Sequence, residues 1–223
     1  HRCLKPCPVD IDFGDVSVAM RNFLRKQEKK RFSPGTFAAM TYLNLKDPAT
    51  IKLMRFGMMD FGFKAQRLAH KAAKAIGLVQ DSRAHPPATV GAPTVKTQVI
   101  HFLNRPMPGN LPKRTSRALL DIEDDKVIPV IRNPRKTSEE SDAVFYFPGC
   151  GSERLFSQVG LATQAMLYEV GTTTVLPPGY LCCGYPQNAS GDADKGQKIT
   201  TDNRVLFHRV ANTLNYLDIK TVI

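Results

Sequence analysis

Apolar residues recur at intervals of three or four in the first part of the chain, the spacing of one face of an α-helix. Between positions 13 and 24 this pattern predicts an amphipathic helix that runs from about residue 12 to residue 30. A second helical region is predicted over 48–76, with a break near Gly57 and Gly62 because glycine weakens a helix interior. The first third of the chain is therefore expected to be mainly helical.

The last third alternates between short apolar runs and helical patterns. The runs at 143–147, 172–176 and 220–223 predict strands, and the periodic stretches 155–170 and 206–217 predict helices between them. Strands that alternate with helices form parallel sheets with right-handed crossovers. The expected fold class is α/β, with a βαβαβ parallel sheet in the C-terminal part.

Residues 81–142 separate these two parts and contain 8 of the 16 prolines. Proline fixes φ and removes an amide donor, so long regular elements are not expected there. We predict a proline-rich linker with short strands at 97–103 and 126–131.

Positive charge is concentrated near the N-terminus. The formal net charge is +11; residues 1–80 hold 15 Lys and Arg against 6 Asp and Glu, whereas residues 143–223 hold 6 of each kind. A basic region could bind nucleic acid or an anionic membrane, and such a binding module is one alternative function. The densest cluster, 25–31, matches no nucleic-acid-binding module and is typical of the last turn of a helix, so no nucleic acid is expected.

The cysteines indicate chemistry rather than disulfide bonds. A chain of 223 residues can bury a large core, so it needs no disulfide for stability. The five cysteines lie in two groups at opposite ends, unlike the even spread of a secreted disulfide framework. A reducing compartment is expected, with the thiols as ligands or redox groups. No run of 18 apolar residues predicts a membrane-spanning helix.

Three of the cysteines follow predicted strands. Cys150 follows the strand at 143–147, and Cys182 and Cys183 follow the strand at 172–176. Because parallel strands deliver their loops to the same edge of a sheet, the three thiols are expected to meet. Thiolates gathered in this way suit zinc or the iron of an iron–sulfur cluster. The alternatives are that the cysteines are small buried hydrophobic residues, or that Cys182 and Cys183 form a vicinal disulfide.

These cysteines resemble the CCG cysteine-rich domain of glycolate oxidase iron–sulfur subunits and of heterodisulfide reductase B subunits. Cys150, Cys182, Cys183 and Gly184 match the first parts of the family pattern, and the CxxC that follows them in the family is absent. The resemblance covers 143–223. It implies a thiolate site for an iron–sulfur cluster or zinc, and a role in passing electrons to a quinone or disulfide-type acceptor.

The N-terminal Cys3 and Cys7 form a CxxxCP sequence, which resembles the end of the bacterial two-cluster ferredoxin motif. A ferredoxin module that leads into CCG domains is the layout of FAD-linked glycolate and D-lactate oxidoreductases. By this resemblance, the chain comprises the end of a 4Fe-4S ferredoxin domain at 1–32, a helical connector at 33–80, the linker at 81–142 and a partial CCG domain at 143–223.

The resemblance also implies a function. Electrons from a 2-hydroxy acid, of the D-lactate or glycolate type, would pass from FAD on another domain through 4Fe-4S clusters to a quinone-like acceptor. The partners would be that flavin domain and the remaining ferredoxin and CCG segments of a longer protein, located in the cytoplasm or peripheral to the inner face of the membrane. Because each cysteine motif is incomplete, the chain alone is expected to show no oxidase activity. The rival interpretation is a structural zinc module.

Other polar residues are predicted to be structural. His208 lies off the apolar face of its helix, which indicates exposure to solvent. Asp192 and Asp194 precede the same helix and are expected to cap it rather than to bind metal.

Overall fold

The computed structural model describes residues 11–30, 32, 34–79 and 95–223. Its α-helices are α1 (Phe13–Lys26), α2 (Pro34–Asn44), α3 (Pro48–Arg55), α4 (Phe63–Ala75), α5 (Val95–Leu103), α6 (Ser116–Leu120), α7 (Ser157–Glu169), α8 (Tyr185–Ala189) and α9 (Ala193–Thr213). Its strands are β1 (Val130–Ile131), β2 (Ala143–Phe145), β3 (Thr173–Val175) and β4 (Thr221–Val222). Two segments are π-helical, Phe56–Gly62 and Gly151–Leu155, and Asn215–Leu217 forms a 3₁₀ turn.

These elements form two compact units. One unit contains the described residues up to Pro48 together with Arg114–Ile223, and the other contains the described residues of Ala49–Lys113. The first unit holds the sheet and the described cysteines. The second is helical.

The sheet has the strand order β1-β3-β2-β4. β2 pairs in parallel with both β3 and β4, and β1 pairs antiparallel with β3. The α/β class is therefore confirmed. The sheet is mixed rather than wholly parallel, because β1, which comes from the proline-rich segment, joins its edge in the antiparallel direction.

Apolar side chains of β2, β3 and α9 form the core of this unit. Phe145, Val175 and Val210 are at most 2% exposed and form one cluster. Phe207 of α9 packs on this cluster, with its ring centroid 4.7 Å from that of Phe145 and 5.5 Å from that of Phe147. The apolar face predicted for the last helix is thus the face that covers the sheet.

One prediction for the second unit is wrong. The segment 97–103 was expected to be a short strand, and its β-branched residues do favour a strand, but it lies in α5. Side chains of α4 bond to the carbonyl groups at the end of that helix: Gln66 Nε2 lies 2.9 Å from Phe102 O, and His70 Nδ1 lies 2.6 Å from Leu103 O. Tertiary hydrogen bonds to carbonyls that a helix end leaves unpaired therefore override the local preference.

The other helical predictions differ only at the helix ends. The region 48–76 is helical, and the break expected near Gly57 and Gly62 is a π-helical segment. Helix α1 ends at Lys26 rather than at residue 30, because Glu28 adopts a left-handed φ of 55° and the amide of Lys29 donates back to Leu24 O. A strand was predicted over 126–131, and only Val130–Ile131 forms it.

The predictions for Asp192 and His208 are confirmed, whereas Asp194 lies inside α9 and does not cap it. The Asp192 side chain caps α9 by accepting a hydrogen bond from the amide of Lys195. Asp194 lies in the first turn of α9, where the helix dipole favours an acidic side chain. His208 is exposed on the same helix.

Candidate thiolate site

Two thiols lie side by side in the loops that follow β2 and β3. The Sγ atoms of Cys150 and Cys182 are 4.0 Å apart, and the two residues are only 8% and 6% exposed. The two loops therefore meet, as the strand order predicted. Cys183, the next residue, is exposed. All three are free thiols, so the vicinal disulfide between Cys182 and Cys183 is not formed.

Glycine allows the CCG loop to pack directly against α9. Gly184 has a φ of +84°, and a Cβ at this position would lie 2.5 Å from the carbonyl oxygen of Gly196. A Cβ on Gly196 would in turn lie 2.9 Å from the carbonyl oxygen of Gly184. Both the conformation and the close approach of the two backbones require residues without side chains.

Polar side chains hold the same loop in place. Asn203 of α9 donates to the carbonyl oxygen of Cys182 at 2.7 Å, and the Thr200 hydroxyl donates to that of Cys183 at 3.2 Å. The buried Gln187 places its Oε1 3.6 Å from Cys182 Sγ, while its Nε2 donates to Asn44 Oδ1 at 2.8 Å. The Cys182 thiol can thus direct its one proton either to Cys150 or to Gln187.

The three thiols have different pKa values because their surroundings differ. The hydrogen bond from Cys182 lowers the pKa of Cys150 from 9.0 to about 7; burial opposes this shift and Arg154 favours it. Donation to Cys150 raises the pKa of Cys182. The hydrogen bond with Cys182, together with partial burial of the thiol, raises the pKa of Cys183. As the pH rises, Cys150 is therefore the first of the three cysteines to lose its proton.

A buried cation lies next to the thiol pair. Arg154 is four residues after Cys150, on the π-helical turn, and is fully buried. Its Nη1 donates to the carbonyl oxygens of Tyr42 and Leu43 at 2.9 and 2.7 Å. These bonds fix the guanidinium group, and its charge favours the Cys150 thiolate.

A buried ion pair lies behind this arginine. The side chains of Arg117 and Glu153 are 1% and 2% exposed and bond to each other, and Arg117 Nη2 also donates to Pro177 O at 2.7 Å. The guanidinium carbons of Arg117 and Arg154 lie 5.6 and 5.4 Å from the ring centroid of Tyr180. Burial raises the pKa of Glu153 to about 7, and Arg117 acts against this shift. Charged and aromatic groups thus form a buried layer next to the thiols.

Sequence reasoning missed this layer. The sequence gives no sign that Arg117, Glu153 and Tyr180 belong together, because they lie far apart along the chain. Arg117 is 36 positions from Glu153 and 63 from Tyr180, and Arg154 is 26 positions from Tyr180. One local signal was available: the spacing of four between Cys150 and Arg154 places both side chains on the same side of a helical turn.

The donor geometry suits thiolate ligation. Tetrahedral metal–sulfur bonds of about 2.3 Å place two sulfur atoms about 3.8 Å apart, close to the 4.0 Å between Cys150 and Cys182. Within the described part of the chain, no group of three or more His, Cys, Asp or Glu residues is arranged to hold a metal ion. The assignment of Cys150, Cys182 and Cys183 as metal ligands therefore stays a prediction. Cys3 and Cys7, predicted as cluster ligands, lie outside the described residues.

Residues 144–214, which carry the three thiols and the helices around them, match the family described as "Cysteine-rich domain" (CCG). This part of the chain thus matches the CCG cysteine-rich domain family, which confirms the resemblance noted from the sequence.

One curated protein, the "Probable glycolate oxidase iron-sulfur subunit" of Bacillus subtilis (strain 168), is 23% identical to the chain over 209 residues. The match covers 92% of this chain and 40% of the relative, so the chain spans about two fifths of the length of that protein. No solved structure matches the chain.

Proposed function

We propose that this chain is the electron-transfer segment of an iron–sulfur oxidoreductase that acts on a 2-hydroxy acid of the glycolate or D-lactate type. The observation that carries the proposal is the buried pair of thiols, with Sγ atoms 4.0 Å apart, in the loops of a CCG domain. The relative from Bacillus subtilis supports it, because that protein is named as a probable iron–sulfur subunit of glycolate oxidase.

The residues of the site favour thiolate ligands. Cys150 and Cys182, with Cys183 beside them, supply the sulfur donors, and iron–sulfur clusters are held by such thiolates. A cluster bound here would supply reversible one-electron chemistry. The cation of Arg154 offsets the negative charge of the thiolates, and burial of Cys150 and Cys182 keeps water away from them.

The surrounding side chains act by positioning. Asn203 and Gln187 hold the CCG loop in place through their contacts with Cys182. The sulfur atoms of Cys150 and Cys182 therefore keep their separation when the charge of the site changes during electron transfer. Cys183 is the exposed member of the set and marks the side from which a redox partner could approach. In this proposal Cys3 and Cys7 complete ferredoxin clusters that connect the flavin to the CCG domain.

The whole reaction needs other protein segments. FAD would be carried by a separate domain or subunit, the remaining ferredoxin and CCG segments would complete the cysteine motifs, and a quinone-like compound would accept the electrons. In the part of the chain that the structure describes, no helix combines the length and apolar character needed to span a membrane. Contact with the membrane surface remains part of the proposal.

Anaerobic redox titration tests the proposal. The chain is reconstituted with iron and sulfide and titrated with photochemically reduced FAD; we expect the broad visible absorbance to bleach and a soluble quinone to restore it. With D-lactate or glycolate and a dye acceptor, the chain alone should give no turnover. A colourless zinc-bound protein that accepts no electrons would favour the structural zinc module, and turnover by the chain alone would contradict the proposal.

A further inference from the structure

The thiol-bearing unit contains a large cleft that the thiolate site does not use. Its volume is about 940 Å³, which is within the range of small-molecule sites. The C-terminal end of α1, one side of α2 and the turn between α8 and α9 line it.

Positive charge converges on this cleft. Its ionisable lining residues are Arg21, Arg25, Lys30, Lys195, Glu28 and Asp192, that is, four cations and two carboxylates. Asp192 and Arg25 pair with each other, since Asp192 Oδ2 lies 2.9 Å from Arg25 Nη2, and the other ionisable lining residues are three cations and Glu28. Arg21 donates one nitrogen to Ala189 O at 2.8 Å, which orients its guanidinium group. Partial burial and the nearby charges of Arg25 and Arg21 lower the pKa of Lys30, as expected where cations gather without enough counter-charge.

Apolar rings form another part of the lining. Phe32 and Phe37 are 75% and 63% exposed, and their ring centroids are 5.9 Å apart. Because the two rings are tilted by 48° to each other, they offer an angled apolar surface beside the cations. Met40 extends this surface and adds an adaptable side chain.

The cleft also adjoins the thiol pair. Gln187 lines the cleft, and the same side chain places its Oε1 3.6 Å from Cys182 Sγ. A molecule on this part of the cleft would therefore be separated from the thiols by a single side chain.

We propose that this cleft binds an anionic small molecule with an aromatic body, its acidic group on Arg21 and its ring against Phe32 and Phe37. The site depends on geometry that exists without any metal. Its test therefore separates it from the proposed electron-transfer function: binding is measured on the metal-free chain.

Calorimetric titration with three probes tests the inference. Naphthalene-2-sulfonate combines a ring and a charge, methanesulfonate has only the charge, and naphthalene-2-methanol has only the ring. We expect saturable binding of naphthalene-2-sulfonate that weakens with salt, and at least about tenfold weaker binding of the other two. Absence of saturable binding, or equal binding of the neutral ring compound, would overturn the proposal.

Matched variants locate the binding. Arg21→Gln and Phe37→Ala should each raise the dissociation constant at least about tenfold, and Arg21→Lys should keep part of the affinity. Lys26→Gln, in the same helix, and Phe61→Ala, an equally exposed ring, change residues that do not line the cleft and should leave binding within about twofold. Equal losses in the control variants would contradict the assignment. Displacement of the probe by phosphatidylglycerol vesicles would assign the cleft to anionic lipid and likewise overturn it.

Discussion

Replacing Gly184 by alanine tests the packing of the CCG loop on α9. The residue has a φ of +84°, a left-handed conformation that costs an L-residue about 1–2 kcal/mol. The new Cβ would lie 2.5 Å from the Gly196 carbonyl oxygen and 3.0 Å from Thr200 Oγ1, so the backbone must shift, at a further cost of about 1–3 kcal/mol. We expect Gly184→Ala to lower the free energy of unfolding by about 2–5 kcal/mol.

Urea denaturation followed by far-ultraviolet circular dichroism measures this loss. With an m-value of about 2 kcal/mol/M, the midpoint should fall by about 1 M or more. Gly151→Ala is the matched control, because a Cβ there meets no atom within 4 Å and its φ is not left-handed. Gly196→Ala should also destabilise, since its Cβ would meet the Gly184 carbonyl oxygen at 2.9 Å. If Gly184→Ala and Gly151→Ala unfold at the same urea concentration, the close packing of the CCG loop on α9 described above is wrong.

Two further predictions concern the charged groups of the site. Above pH 7, where Glu153 is ionised, Glu153→Gln leaves the buried Arg117 without its counter-ion and should cost about 3–5 kcal/mol. Glu169→Gln breaks a pair whose side chains are 50% and 65% exposed and should cost less than about 1 kcal/mol. Equal shifts of the urea midpoints would refute the burial of the first pair. In the metal-free chain, the ultraviolet absorbance of thiolate should rise with pH around a midpoint of about 7 that is missing in Cys150→Ser, because deprotonation of Cys150 is favoured there. Cys182→Ala removes the donor and should move this midpoint up towards 9.0; an unchanged midpoint would show that the hydrogen bond is not the cause.

Patterns that depend on local burial were predictable from the sequence. The apolar periodicity of α9 and the apolar runs of β2 and β3 indicate which faces are buried. These elements form over the stretches where they were expected. Segment 97–103 was not predictable, because its conformation depends on Gln66 and His70, more than thirty residues away. β1 likewise needs β3 as a partner, so its two residues carry little signal of their own.

The candidate site likewise contains residues that the sequence predicted and residues that it did not. The meeting of Cys150 and Cys182 followed from the strand order, since parallel strands bring successive loops together. The buried Arg154 and the Arg117–Glu153 pair could not be predicted, because a charged residue in a sequence gives no sign of burial until its partners are known. Gly184 of the CCG motif could be seen in the sequence. The need for a glycine there could not, because it comes from a close contact with Gly196, twelve positions further on.

The metal content of the cysteine variants tests the central claim most directly. Because Cys3 and Cys7 could also bind iron, the series is made in a chain with both changed to serine. After anaerobic reconstitution with iron, sulfide and zinc, followed by gel filtration, we expect iron and acid-labile sulfide to co-elute with this chain and to be lost in Cys150→Ser and in Cys182→Ser. Iron and sulfide retained in both variants, or zinc bound without sulfide in the parent chain, would contradict the account.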